Sequence, residues 1–178
     1  LEDVVNETFE LISQWYVESD ATAGIWELAM PNPTFENGIP AQTGEDHTLD
    51  GDYCWVTGNS AGENNPGADD IDSGHTILYS ETYDLSNFND VLLTYYRWYT
   101  NNLGNNPGSD IWNVQVSSNG GESWVDLEST SNSNNSWVEK RFVLSSYINL
   151  TNQVQFRFLA SDLFNNGDVG SGGSLVEA

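Results

Sequence analysis

The chain is 178 residues long, 38% hydrophobic and 12% aromatic, with 27 acids against 4 bases and a formal net charge of −23. This length suits one domain, expected to span 1–178, that buries roughly two thirds of its unfolded surface around a packed core. The charge excludes nucleic acid, whose phosphates need a basic face, and disfavours an anionic membrane surface.

Taken in chain order, the sequence shows almost no helical periodicity. Short alternating runs rich in Val, Ile, Tyr, Trp and Phe are separated by Gly, Asn, Asp and Ser clusters. Strands are predicted over 8–17, 24–29, 53–57, 75–80, 90–100, 110–117, 123–128, 137–144, 153–161 and 174–178. About ten short strands in one domain point to an all-β fold, a two-sheet antiparallel β-sandwich of jelly-roll type. The longest loops, 30–50, 58–73 and 162–173, are where function is normally carried. No apolar run approaches the roughly 18 residues of a membrane span. No basic-then-apolar leader opens the chain, so an extracellular protein would carry its signal upstream.

The acids are unevenly placed. Residues 1–90 hold 19 of them and no Lys or Arg, while Arg97, Lys140, Arg141 and Arg157 all lie beyond. Such unpaired charge strains a compact fold unless cations neutralise part of it. The sharpest concentration is "GADDIDSGHTILYS", residues 67–80, with Asp69, Asp70 and Asp72 just ahead of a strand. Oxygens at 70 and 72 with Gly74 behind them form a D-x-D-x-G pattern. That spacing lets two carboxylates and intervening carbonyls converge on a hard cation, and oxygen-only ligands favour calcium over zinc. Glu45, Asp46, Asp50 and Asp52 are further acids within reach in sequence. The alternative is a solvated turn rich in Asp.

Other motifs read as structural. "SSNGGESW", residues 117–124, resembles the Asp-box hairpin of sialidases, with Asn119 at the usual aspartate position and Trp124 packing back on the turn. The single cysteine, Cys54 in "DYCWVTG", precludes an internal disulfide and reads as a buried, inert thiol. His47, His75 and Cys54 match no compact zinc spacing. The sequons at Asn6, Asn134 and Asn149 are expected by chance in an Asn-rich chain. No nucleophile elbow, catalytic triad, phosphate loop or H-E-x-x-H is present, so no enzyme is expected.

Strand alternation proposes a ligand face. Tyr95, Arg97 and Tyr99 share one side of their strand, Asn113 and Gln115 the outward side of theirs, and Arg157 the outward side of a third. If those strands are neighbours, the six side chains form a polar-aromatic surface suited to stacking on sugar rings and bonding hydroxyls.

Several blocks together carry a resemblance. "TFELISQWYVESDATAGIWELAMPNPT", "EDHTLDGDYCWVTGN", "DIDSGHTILYSETYDLS", "LLTYYRWYTNNLGNNPGSDIWNVQVSSNGGESWVDLE" and "VQFRFLASD…GSLVEA" resemble, in order, the jelly-roll accessory domain of large secreted bacterial proteins. That domain often stands beside zinc carboxypeptidases and is similar to MAM domains and calcium-containing carbohydrate-binding modules. The resemblance implies a non-catalytic module with structural calcium, and carries Glu10 of the "FE…W" start, Asp70 and Asp72 over as ligands. Members of the family continue after V-E-A with a further strand segment, so the last strand is expected to be incomplete at Ala178. Two roles follow as expectations. One is a calcium-stabilised module binding polysaccharide or cell-surface glycan beside other domains of a larger secreted protein. The other is a self-assembling unit of an adhesin, surface layer or filament, completed by strand donation.

Overall fold

A computed structural model describes residues 3–10, 13–59, 66–164 and 174–178. Its strands are β1 (Tyr16–Ser19), β2 (Trp26–Ala29), β3 (Thr34–Glu36), β4 (Ile39–Gln42), β5 (Cys54–Thr57) and β6 (Gly74–Tyr79). They continue as β7 (Leu92–Gly104), β8 (Trp112–Ser117), β9 (Val125–Thr130), β10 (Asn134–Val143), β11 (Gln155–Asp162) and β12 (Ser174–Glu177), with one 3-10 turn at Leu144–Ser146. One sheet runs β1-β6-β11-β8-β9 and a second β10-β7-β12, every pairing antiparallel. The Ala178 carbonyl accepts from the Thr57 amide, laying the end of β12 against the β2-β5 pair. The fold is the expected all-β sandwich.

Alternation builds the core between the layers. Leu78, Val114, Val116, Phe156, Phe158 and Ala160 face inward from the five-stranded sheet and meet Tyr99 and Val176 of the other, with Trp26, Trp112 and Leu127 completing the cluster. Each Val, Leu or Phe among them contributes roughly 1.5–3 kcal/mol when fully buried. Trp112 meets Trp26 edge-on at 6.1 Å and Tyr99 at 5.6 Å, both within the favourable range for aromatic pairs.

Two elements depart from the sequence reading. The run 8–17 forms a strand only from Tyr16 onward, because the chain before it turns, with Phe9 at φ 61°. Within loop 30–50 lies the hairpin β3–β4, closed by Asn37 and Gly38 at φ 51° and 81°. Two successive positive-φ residues make the reversed turn that a two-residue hairpin favours, and the Asn-Gly pair was its signal. The neighbouring prolines Pro31, Pro33 and Pro40 mask that signal in the sequence.

Candidate functional site

Antiparallel pairing sets one residue of each strand of the larger sheet in a single cross-strand row. Tyr16 lies opposite Tyr79, Tyr79 opposite Arg157, Arg157 opposite Gln115, and Gln115 opposite Asp126. All project away from the core, since their chain neighbours Val17, Leu78, Phe156, Phe158, Val114 and Val116 point into it. Tyr16 and Tyr79 stack at 4.9 Å and 9°. The Tyr79 hydroxyl sits between Arg157 and Glu18, and burial raises its pKa. Arg157 donates from Nε to Gln115 at 2.6 Å, and Gln115 donates onward to Asp126 at 2.6 Å. The guanidinium also lies 4.4 Å from the ring of Trp124. The result is a ladder of flat aromatic and hydrogen-bonding groups on the outer face, in which Tyr79 is buried between Tyr16 and Trp124.

Trp124, whose ring lies against Arg157 and 5.9 Å from that of Tyr79, is positioned by the hairpin turn. Asn119 Oδ1 accepts from Ser117 Oγ and the Ser123 amide, while Ser117 Oγ accepts from the amides of Asn119 and Gly121. A Cβ on Gly121, at φ 90°, would stand 3.4 Å from the Trp124 ring. The turn is structural and holds the tryptophan on the sheet surface.

Only half of the sequence-proposed ligand face is found here. Asn113, Gln115 and Arg157 lie on the outward side of the five-stranded sheet, whereas Tyr95, Arg97 and Tyr99 belong to β7 and point between the layers. Arg97 is 3% exposed and Tyr99 fully buried, so neither meets a ligand from solvent. Alternation identified the correct side of each strand but not which side faces the partner sheet. Arg97 instead pairs with Glu128 at 3.2 Å and donates to Asn134 at 2.6 Å. The same carboxylate takes Lys140 at 2.9 Å, the Tyr95 hydroxyl at 2.7 Å and the Trp112 indole at 3.1 Å. Burial, then Glu128, raises the Tyr95 pKa.

The three aspartates of loop 66–73 separate. Asp69 accepts from the Asn59 amide at 3.1 Å, while Asp70 and Asp72 turn inward, 3% and 4% exposed. The loop lies close on β2 and β5 because Gly24 and Gly58 have no Cβ to strike Ile71 and Asp69, and both hold positive φ. Beside Asp70 and Asp72 stands Asp162, fully buried, and beside Asp162 the fully buried Asp110. Burial, then Asp72, lifts the Asp70 pKa to about 8; burial, then Asp110, lifts that of Asp162 to about 7. Sequence reasoning missed Asp110 and Asp162, single acids at strand ends whose meeting depends on register.

Glu10 is placed elsewhere. Its Oε1 accepts from the amides of Asp52 and Tyr53 at 3.1 and 3.0 Å, in the loop where Asp46 caps the Thr48 amide. Cys54 is buried, its thiol pushed up to about 12 by burial and then by Asp46 and Glu10. His75 lies beside Asp20 at the edge of β6, and His47 stacks on Tyr96 at 3.4 Å. Among the described residues no group of three or more His, Cys, Asp or Glu side chains is placed to hold a metal ion, and no helix is long and apolar enough to cross a membrane.

No family model and no curated protein matches the chain. Solved structures do. The K1 cleaved adhesin domain of Lys-gingipain from Porphyromonas gingivalis W83 superposes with a TM-score of 0.50 at 15% identity, over 96% of this chain and 92% of that one. The module TmCBM61, in complex with β-1,4-galactotriose, gives 0.47 at 14% identity, over 92% and 84%. At such identities the likeness concerns the fold.

Proposed function

We propose that the chain is a non-catalytic, calcium-stabilised binding module of a larger extracellular protein, taking polysaccharide or cell-surface glycan on the outer face of the five-stranded sheet. The observation that carries this reading is the cross-strand row Tyr16, Tyr79, Arg157, Gln115 and Asp126, with Trp124 packed on Arg157 and Tyr79. An extended sugar chain lying along the row would meet aromatic rings around Tyr16 and Trp124 and hydrogen-bonding groups toward Gln115 and Asp126. Asn113, one row further along, extends the polar surface. Affinity electrophoresis against a panel of soluble polysaccharides tests it. Retardation by one of them, lost in Arg157→Ala and Tyr16→Ala chains that melt normally, is expected. Migration unchanged by every glycan, or retardation that both variants retain, would remove the row from consideration.

A second reading, adhesion or assembly with a protein neighbour, is favoured by the opposite side of the molecule. Pro33, Phe35, Pro40, Trp98 and Trp137 line a groove of about 460 Å³, and a second recess that shares Gly44, Glu45 and Asp46 with it is lined by Met30 and Leu49, 54% and 89% exposed. Concentration-dependent association on a sizing column, lost in Leu49→Asp, would favour it.

A further inference from the structure

The smaller sheet carries a groove that the glycan row does not use. Tyr99 of β7 points into the core, so Tyr96, Trp98 and Thr100 stand on the opposite, outer side of the strand. The β3–β4 hairpin lies along that side. Thr100 Oγ1 donates to the Ala41 carbonyl at 2.6 Å, and Asn135 Nδ2 donates to the Pro40 carbonyl at 2.9 Å. Between hairpin and sheet runs the groove of about 460 Å³, walled by Pro33, Phe35, Pro40, Trp98 and Trp137. The two indoles meet edge-on at 6.1 Å, and His47, stacked on Tyr96, continues the ring surface beyond Trp137. At Gly44, Glu45 and Asp46 the groove opens into a recess of about 370 Å³ that Asp50 and Asp52 also line.

The use of hydrogen-bond donors around the groove narrows what it can hold. Among the described residues, every side-chain donor lining it is already spent inside the chain. Trp98 Nε1 donates to the Ala41 carbonyl at 2.7 Å and Trp137 Nε1 to the Glu45 carbonyl at 3.1 Å. Thr43 Oγ1 donates to that same Glu45 carbonyl, and Gln42 Nε2 donates to the Asn32 carbonyl and to Asn59 Oδ1. Ring surface, proline and carboxylates that only accept are what remain. A sugar hydroxyl both donates and accepts and would be half met there, whereas a cation on an apolar stem only donates. Charge points the same way: residues 44–52 hold four acids and no Lys or Arg. The chain's own bases are engaged elsewhere, Arg97 and Lys140 on Glu128, Arg141 on Glu139, and Arg157 on Gln115. A second copy, also at −23, would set acid against acid.

We infer that the groove and its acidic recess dock a basic segment of another protein. An arginine or lysine stem of that segment lies across Phe35, Trp98 and Trp137, and its charged head enters the recess at Glu45 and Asp46. Indole is the strongest of the aromatic rings for a cation, and the carboxylates beside it add the attraction of full charge. Leu49 and Met30, 89% and 54% exposed along the recess, meet an apolar neighbour of the basic residue. The inference rests on the second reading above, adhesion to a protein neighbour, and gives that neighbour its chemistry. The glycan row lies on the other sheet, so the two ligands do not compete.

Titration calorimetry of the whole chain at physiological salt tests the site, with a short peptide alternating Arg and Leu as probe and one alternating Gln and Leu as its neutral control. The basic peptide should bind and the neutral one should not. Trp137→Ala should weaken binding about tenfold, and Glu45→Gln roughly threefold. Glu122→Gln removes the same charge from the exposed β8–β9 turn and should leave the affinity unchanged. An equal loss in Glu45→Gln and Glu122→Gln would reveal general attraction to an acidic surface and overturn the site. A polysaccharide whose binding is lost in Trp137→Ala and kept in Arg157→Ala would overturn it too, by making the groove a sugar site. Should Trp137→Ala fail to fold, the comparison of Glu45→Gln with Glu122→Gln decides. A wild type that ignores the basic peptide but self-associates through Leu49 would sink this inference and leave the second reading standing. A wild type that does neither would remove both.

Discussion

Two buried charged clusters in the same sandwich handle carboxylates in opposite ways. Around Glu128, one acid is met by two cations, Arg97 and Lys140, and by two neutral donors, Tyr95 and Trp112. Around Asp162, buried acids gather at one end of the sheet, and among the described residues both oxygens of Asp162 and one of Asp110 take no well-formed hydrogen bond. The first network balances its charge within the chain, although Arg97 Nε and Nη1 take no well-formed hydrogen bond. The second leaves charge for something outside the protein, a proton or a metal ion, to neutralise. Where a fold leaves buried polarity unsatisfied, the surrounding solution enters its stability.

The sharpest way to break this contrast is to remove the acid that completes the first cluster. Glu128→Ala leaves Arg97 buried without its carboxylate and should cost about 3–5 kcal/mol, read as a midpoint lowered by roughly 10 °C with or without calcium. A loss that calcium repairs would mean the two clusters are not independent.

The next effect is a pH dependence confined to the second cluster. The folded values of Asp70 and Asp162, about 8 and about 7, lie above the usual unfolded value of about 3.9. The folded state therefore holds protons that the unfolded state has already released. Stability from these groups is fully present below pH ~4 and is lost as pH rises through about 8. In EDTA the melting midpoint should fall by several degrees between pH 5 and pH 8, and saturating calcium should flatten that slope. An EDTA midpoint that climbs over this range would contradict the burial of these carboxylates.

Smaller effects sharpen the division between scaffold and surface. Asn119→Ala removes the side-chain bonds to Ser117 and Ser123 and should cost about 1 kcal/mol by denaturant unfolding. By loosening Trp124 it should also weaken retention by any polysaccharide that binds the row. Arg157→Ala should change stability by less than ~1 kcal/mol while lowering glycan affinity about tenfold or more, as measured by titration. If instead it unfolds the chain, the row is part of the scaffold.

Much of the fold was legible in the sequence because it is written in local signals. The alternation in "DIWNVQVS" and "VQFRFLAS" placed Val114, Val116, Phe156 and Phe158 in the core, where they stand. The glycines and Asn119 of "SSNGGESW" announced the turn that the structure contains. The site was less legible. Alternation grouped Tyr95, Arg97 and Tyr99 correctly on one side of β7, but which side of a strand faces a second sheet is a property of the partner.

The boundary is clearest in β9. Strict alternation in "VDLES" would set Asp126 and Glu128 on the same face. The β8–β9 register instead shifts between Val114 and Gln115, pairing Asp126 with outward Gln115 and Glu128 with inward Val114. That bulge, with Leu127 as the extra residue, turns Glu128 into the core to meet Arg97 while Asp126 joins the surface row. Composition and periodicity alone determined an all-β sandwich, some of its turns and an excess of acid. Only the tertiary structure decided which acids are buried, which are compensated and which share one strand end. Those outcomes depend on register and layer order, and both are settled by contacts between residues far apart in the chain.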